Sequence, residues 1–156
     1  MQFKDQQSAQ ESYVELASNN SQSFLVDVRS SEEWFKTGVA DFSTMPEKLV
    51  LCEWRQSPSM KINENFFKEL TEKLDFKTVE KLYFICAAGI RSQEAADYTK
   101  SKLEDLDLRV QCVNVSDGFN GNTSTVFGFG KVSGWKKLGL PCCQLQQTNM
   151  KIGAEE

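Results

Sequence analysis

Short, almost continuously apolar segments alternate with amphipathic segments along this chain, and this alternation limits the fold more than any other feature of the sequence. The apolar segments cover residues 24–28, 49–52, 81–85 and 110–115. A strand that is apolar on both sides is typical of a parallel sheet whose two faces are covered by helices. The sequence therefore predicts a three-layer α/β domain with a parallel sheet flanked by helices on both faces.

Apolar residues at helical spacing predict the helices between these strands. Ser30 precedes Glu33 by three residues, which is the spacing of a capping box and indicates a short helix that ends near Gly38. The other predicted helices are an opening helix carrying Ala9, Tyr13, Leu16 and Ala17, a helix capped by Asn63, and a helix over 91–106 carrying Ala95, Thr99, Leu103 and Leu106.

The length of 156 residues fits one domain with a sizeable core. We expect this domain to cover residues 1–145 and a flexible tail to cover residues 146–156. The net charge is −4 and charges of both signs are interspersed, so the sequence predicts neither a nucleic-acid partner nor a membrane partner. The segment 1–7 lacks the apolar core of a signal peptide, which predicts a cytoplasmic location.

The chain has five cysteines and no histidine. This composition excludes Cys–His nucleophile pairs and Cys/His zinc sites, and we predict neither a metal nor a cofactor. Cys52 and Cys112 lie within apolar segments and are predicted to belong to the core. Cys142 and Cys143 are adjacent, and we expect them to face solvent in a loose tail, with a role as acceptor thiols as the alternative.

Cys86 is the candidate nucleophile, because it follows an apolar strand directly and precedes a predicted helix. The small residues Ala87, Ala88 and Gly89 allow backbone N–H groups to converge on the sulfur, and Arg91 adds a positive charge. Such a turn favours the thiolate over the neutral thiol. The alternative is a cysteine that only ends a buried strand. An arginine at the start of a helix opposes the helix dipole, which indicates an anion for it to bind.

Polar residues also follow two other predicted strands. Asp27 and Arg29 come at the end of the first apolar segment, and Trp54 and Arg55 follow the second. Ligands of open parallel sheets bind at the carboxyl ends of the strands, so these turns and Cys86 are predicted to meet at one edge. Asp27 either satisfies backbone donors or takes part in catalysis, and Arg29 either pairs with a carboxylate or contacts substrate.

The segment from Gly118 to Gly139 is rich in glycine and aromatic residues. It is predicted to be a structured loop rather than a flexible linker. Either it packs over the core as an Ω-like loop, or it forms a lid or substrate wall near Cys86.

Three motifs in this order resemble the rhodanese-like sulfurtransferases, specifically the small single-domain bacterial kind. The segment Asp27-Val28-Arg29 with Glu32-Glu33-Trp34 and Gly38 is similar to the first signature of that family. The segment Cys86-x-x-Gly89-x-Arg91-Ser92 resembles the active-site loop of the family. The closing signature of the family is similar to two segments of this chain, Asp117-Gly118-Phe119 and Gly134-Trp135-Lys136 through Gly139-Leu140-Pro141.

The resemblance implies an enzyme whose cysteine accepts sulfane sulfur from thiosulfate or another persulfide and passes it to cyanide or a thiol. Its partners would be a small-molecule or protein sulfur donor and a thiol acceptor. Cys86 would be the catalytic residue, Asp27 and Arg29 would support it, and the substrate-binding residues would be Ala87, Ala88, Gly89, Ile90 and Arg91. In this transfer role the backbone donors of Ala88 through Arg91 would hold the outer sulfur. Ala87 and Ala88 stand where thiosulfate-specialised relatives carry basic or hydroxyl residues, which predicts thiosulfate to be a poor donor.

Two other functions fit parts of the pattern. A cysteine phosphatase or arsenate reductase also uses a cysteine and an arginine, but its loop has five residues between them, whereas four residues separate Cys86 from Arg91. A non-catalytic interaction module that keeps the fold, or one that carries a persulfide, is the second alternative.

Overall fold

The structure is a computed structural model that describes residues 5–18, 22–121 and 132–145. Its central feature is a five-stranded sheet in the order β1-β8-β7-β2-β4, and every strand pair in it is parallel. These strands are β1 (Gln6–Gln7), β2 (Ser23–Asp27), β4 (Leu49–Leu51), β7 (Lys81–Ile85) and β8 (Gln111–Val115). The predicted parallel α/β sheet is confirmed.

Within the described residues, four helices and two small antiparallel strand pairs surround this sheet. The helices are α1 (Ala9–Ala17), α2 (Ser31–Thr37), α3 (Phe66–Lys73) and α4 (Ile90–Asp105), and a short 3-10 helix covers Pro46–Lys48. The antiparallel pairs are β3 (Val39–Ala40) with β9 (Cys142–Cys143), and β5 (Arg55–Gln56) with β6 (Lys61–Ile62).

Two hydrophobic clusters cover the two faces of the sheet. Because side chains alternate along a strand, Leu82 and Phe84 of β7 pack with α3 and α4, whereas Tyr83 and Ile85 pack with α1. The helices therefore lie on both faces, as the apolar strands predict. Cys52 and Cys112 are buried in the first cluster, which confirms their predicted place in the core.

Local sequence signals explain most of the helix ends. The Glu33 carboxylate accepts hydrogen bonds from the Ser30 backbone N–H and hydroxyl, so the predicted capping box is present. Asn63 was predicted to cap α3, but α3 begins at Phe66 and its cap residue is Asn65. The Asn63 side chain instead accepts a hydrogen bond from the Asn65 N–H at 3.0 Å, in the turn before the helix. Leu106 was predicted on the buried face of α4, but it lies beyond the end of that helix and is exposed.

The prediction of a loose tail at Cys142 and Cys143 is wrong. These residues form β9, which pairs with β3, and Cys142 is partly buried while Cys143 is exposed. Their pairing partner lies about a hundred residues earlier in the chain, so no local pattern indicates it. The predicted flexible tail at 146–156 lies outside the described residues.

The two described ends of the glycine-rich segment pack on the α1 face of the sheet. Phe119 and Trp135 are buried there, and the Trp135 N–H donates to the Gly118 carbonyl at 2.9 Å. Asp117 joins both ends to α1, because its carboxylate accepts from the backbone N–H groups of Ala9 and Gly134 at 2.7 Å each. These ends behave as a packed loop, and residues 122–131 lie outside the described part of the chain.

Candidate active site

The turn between β7 and α4 presents Cys86 at the carboxyl end of the central strand. The turn after β8 holds it in place, because the Phe119 N–H donates to the Cys86 carbonyl at 2.8 Å and the Asn120 N–H donates to the Ala87 carbonyl at 2.9 Å. On the other side, the Val28 N–H continues the β2–β7 ladder by donating to the Ile85 carbonyl. The cysteine turn is therefore bounded by both neighbouring strands.

Backbone N–H groups converge on the sulfur of Cys86. The N–H of Gly89 donates to Sγ at 3.1 Å and the N–H of Ser92 donates at 3.2 Å, while the Ser92 hydroxyl lies 3.1 Å from Sγ. The sequence predicted donors from Ala88 through Arg91. Gly89 belongs to that stretch, and Ser92 lies one residue beyond it. Two N–H donors and the start of α4 form a site that stabilises negative charge on sulfur.

The predicted substrate-binding residues differ in exposure. Cys86 is only 1% exposed and Gly89 is buried, whereas Ala88 and Ile90 are exposed and Ala87 and Arg91 are partly buried. A reagent must therefore pass between the side chains around the turn before it reaches Sγ.

Arg91 forms a bidentate ion pair with Glu33 of α2. Its two terminal nitrogens donate to the two carboxylate oxygens at 2.7 and 2.9 Å. The sequence indicated an anion for this arginine, and the structure supplies one from within the chain. This carboxylate also caps α2, so one side chain connects α2 to the first turn of α4.

The pKa of Glu33 reflects this position. Partial burial alone would raise the pKa of the carboxyl, but the hydrogen bonds from Arg91 and Ser30 and the charge of Arg91 outweigh burial and lower it to about 2.

The lowered pKa of Glu33 predicts a loss of stability in acid. The folded carboxylate resists protonation down to about pH 2, whereas the unfolded one is protonated near its ordinary value of 4.5, so its stabilisation disappears as the pH falls between these values. For this partly exposed pair we expect a loss of about 1–2 kcal/mol. Urea unfolding at about pH 6 and pH 3 measures it. Glu33→Gln should show a smaller pH dependence than wild type, and the exposed control Glu72→Gln should match wild type; equal pH dependence in all three would contradict the assignment.

Asp27 and Arg29 form a buried ion pair. The Arg29 Nε and one terminal nitrogen donate to the two Asp27 oxygens at 3.0 and 2.7 Å, and the Arg29 backbone N–H also donates to Asp27. The guanidinium further donates to the Thr37 hydroxyl and the Gly38 carbonyl at 2.8 Å each, and it stacks on the Phe119 ring at 4.0 Å. Of the alternatives left open by the sequence, the structure shows the carboxylate pair for Arg29.

The third predicted turn also reaches α4. The Trp54 ring N–H donates to the Glu94 carboxylate at 2.9 Å and the Arg55 Nε donates to the same oxygen at 3.1 Å. Glu94 lies one helical turn after Ile90. The ends of β2, β4 and β7 therefore meet at one edge of the sheet, as the sequence predicted.

The other thiols have environments that favour the neutral form. Burial raises the pKa of Cys112 to about 12, and burial together with the nearby Glu69 carboxylate raises the pKa of Cys52 above its ordinary range. Burial also raises the pKa of Cys142 and of Cys143. Cys86 differs from these cysteines in the N–H groups that point at its sulfur.

Ser92 and Asn114 belong to the site, although the sequence analysis named Ser92 only as the last residue of the active-site loop motif, without a role, and did not select Asn114. The Ser92 hydroxyl donates to Asn114 Oδ1 at 2.5 Å, and Asn114 Nδ2 donates to the Gly89 carbonyl at 3.0 Å. A usable signal for Asn114 was its polarity inside an otherwise apolar strand.

Two absences hold for residues 5–18, 22–121 and 132–145. They contain no cluster of three or more His, Cys, Asp or Glu side chains suited to a metal ion. The same ranges hold no helix with the length and hydropathy that a bilayer crossing requires.

Comparison with solved structures supports the fold. No family model matches the chain. The chain is similar to Rv0390 from M. tuberculosis, with 30% sequence identity, a TM-score of 0.71, and coverage of 90% of this chain and 97% of that chain. A rhodanese-like domain protein from Staphylococcus aureus shares the fold at 18% identity, with a TM-score of 0.51 and coverage of 91% of this chain and 99% of that chain.

Curated relatives come from Rickettsia. The chain is 30% identical over 122 residues to the uncharacterized protein RP600 of Rickettsia prowazekii, covering 78% of this chain and 84% of that protein. It is 29% identical over 123 residues to RC0915 of Rickettsia conorii, covering 79% of this chain and 85% of that protein.

The parallel sheet with helices on both faces gives this chain a rhodanese-like fold. Within that fold, the chain belongs to the bacterial family that includes RP600 of Rickettsia prowazekii and Rv0390 from M. tuberculosis.

Proposed function

We propose that the protein is a sulfurtransferase in which Cys86 carries sulfane sulfur as a persulfide. The observation that supports this most directly is the pair of backbone N–H groups, from Gly89 and Ser92, that donate to Sγ. Donors fixed on a sulfur stabilise the anion that forms there without reorganisation during the reaction. This chemistry needs an ionised nucleophile and does not need a histidine base.

The transfer balances without an external oxidant. The Cys86 thiolate attacks the outer sulfur of a donor persulfide, the donor S–S bond breaks, and the donor leaves as a thiolate. The thiolate of an acceptor then attacks the outer sulfur of the Cys86 persulfide and releases Cys86 as a thiolate. The sulfane sulfur keeps its oxidation state throughout.

The charges around the turn favour a persulfide donor over thiosulfate. Arg91 pairs with Glu33, Arg29 pairs with Asp27, and Arg55 pairs with Glu94. An incoming dianion would have to compete with these carboxylates. Burial of Sγ also favours a donor that presents one terminal sulfur on a flexible chain. We therefore expect glutathione persulfide to load Cys86 faster than thiosulfate does at equal concentration.

Mass spectrometry of the intact protein tests this function. Incubation with glutathione persulfide should add about 32 Da, the mass of one sulfur atom. Cys86→Ser should abolish the adduct. Cys143→Ser is the matched control, because it removes an exposed thiol far along the chain, and it should keep the adduct.

The same variants, with two added activity assays, separate the competing functions. An adduct that survives Cys86→Ser would contradict the assignment of this cysteine. Loading of Cys86 without transfer of the sulfur to cyanide or a thiol would favour a carrier module. Hydrolysis of an aryl phosphate that disappears with Cys86→Ser would favour a phosphatase.

A further inference from the structure

The hydrogen-bond partners of Ser92 and Asn114 fix where the hydroxyl proton of Ser92 lies. Asn114 Nδ2 faces the Gly89 carbonyl at 3.0 Å and the Gln6 side-chain oxygen at 3.0 Å. A backbone carbonyl only accepts, so this contact sets the orientation of the Asn114 amide and leaves Oδ1 facing Ser92. The Ser92 hydroxyl, 2.5 Å from Oδ1, therefore donates to Asn114.

This arrangement has a consequence for Cys86. A serine hydroxyl has one proton to donate, and Ser92 lies 3.1 Å from Sγ. While its proton points to Asn114, Ser92 offers only a lone pair to the sulfur, which suits a neutral thiol that donates its S–H. When the sulfur is anionic, the better partner is the hydroxyl proton, because hydrogen bonds to charged acceptors are the stronger ones.

We propose that Ser92 and Asn114 form a two-position hydrogen-bond switch that controls the reactivity of Cys86. In one position the Ser92 proton binds Asn114 Oδ1 and the thiol form is favoured. In the other position it binds Sγ and stabilises the thiolate or the persulfide. Ser92 and Asn114 are thus positioning residues. The inference rests on the proposed function only in treating Cys86 as the reactive sulfur.

The surroundings suit such a switch. Ser92 and Asn114 are both buried, so water does not replace either partner freely. Three ion pairs face this end of the sheet: Arg91–Glu33, from α4 and α2, Asp27–Arg29, from the end of β2, and Arg55–Glu94, from β5 and α4. Each of these pairs is internally neutralised. The Ser92 hydroxyl proton can therefore change position near Sγ while the charged groups stay paired.

Alkylation of Cys86 by iodoacetamide tests the switch, because this reaction involves no sulfur transfer. The quantity measured is the ratio of the alkylation rates at about pH 7 and pH 10, located at Cys86 by peptide mass spectrometry. Differences in access to the buried sulfur affect both rates and cancel in the ratio. The rate at the higher pH serves as each variant's own reference for access to the sulfur.

Opposite effects are expected from the two residues. Ser92→Ala removes the donor to the thiolate and should lower the ratio about tenfold. Asn114→Ala removes the competing acceptor, frees the Ser92 proton for sulfur, and should raise the ratio by about threefold or more. The double variant should match Ser92→Ala alone, because Asn114 acts through Ser92.

Thr99→Val is the matched control for Ser92→Ala. It also removes a buried hydroxyl from α4, one that bonds the Ala95 carbonyl at 2.8 Å, and it should leave the ratio unchanged. A Ser92→Ala ratio equal to that of Thr99→Val would overturn the proposal, as would a lowered ratio in Asn114→Ala. If Asn114→Ala does not fold, Ser92→Ala and its control decide alone. If the alkylation ratios change as expected but glutathione persulfide adds no sulfur to Cys86, the switch stands and the proposed function is contradicted.

Discussion

Replacing Arg29 by methionine should destabilise the protein by about 3–5 kcal/mol, because it leaves the Asp27 carboxylate buried without its counter-ion. Asp27 is 1% exposed and Arg29 is completely buried. The guanidinium also satisfies the Gly38 carbonyl at the end of α2 and covers the Phe119 ring, and methionine replaces only part of that packing. The measurement is the free energy of unfolding in urea at neutral pH.

A second arginine provides the control for this experiment. Arg55 pairs with Glu94 at 3.1 Å, but the two side chains are 30% and 42% exposed. Exposed pairs contribute about 1 kcal/mol or less, so Arg55→Met should cost much less than Arg29→Met. The double variant Asp27→Asn with Arg29→Met should recover part of the loss, since the unpaired charge is then removed. Equal losses for Arg29→Met and Arg55→Met would contradict a buried charge pair.

Replacing Gly89 by alanine should both destabilise the fold and impair Cys86. Gly89 has φ +100°, and a Cβ atom there would lie 2.3 Å from the carbonyl oxygen of Ser116. That oxygen belongs to the backbone just after β8 and cannot rotate away. We expect a loss of about 3 kcal/mol or more, since conformational strain alone costs about 1–3 kcal/mol and the clash adds to it.

The clash also acts on the sulfur site. The turn must move to accommodate the methyl group, and this movement shifts the Gly89 N–H away from Sγ. Sulfur loading should therefore fall in the fraction that stays folded, as measured by intact mass after incubation with glutathione persulfide. Gly139→Ala is the control, because Gly139 also has a positive φ, of +78°, but no heavy atom lies within 4 Å of its added Cβ. A Gly89→Ala variant as stable and as active as Gly139→Ala would show that the turn tolerates a side chain.

The sequence predicted the sheet and the place of the nucleophile because both depend on local patterns. Four of the five strands of the main sheet are apolar runs, and α4 begins within one residue of its predicted start. The strand β1 and the β5–β6 pair were not predicted, since each strand has two residues and lacks an apolar pattern. These short strands form through hydrogen bonds to a pairing strand, β8 for β1 and each other for β5 and β6, and not through a local sequence pattern.

The electrostatic partners in the site were harder to predict than its position. Arg91 and Glu33 are 58 residues apart, and Ser92 and Asn114 are 22 residues apart, so only the packing of α4 against its neighbours brings them together. The sequence placed Arg91 beside the cysteine turn, but it could not indicate that the Glu33 carboxylate of the same chain already pairs with this arginine.

The Glu33 carboxylate both caps α2 and pairs with Arg91, and this combination restricts how the site could be redesigned. Freeing Arg91 to attract a small anion would require the loss of Glu33, and the same change would remove the acceptor at the amino end of α2. An engineer who wants a thiosulfate-preferring variant would have to rebuild that helix start at the same time, so ligand choice and local folding cannot be adjusted independently.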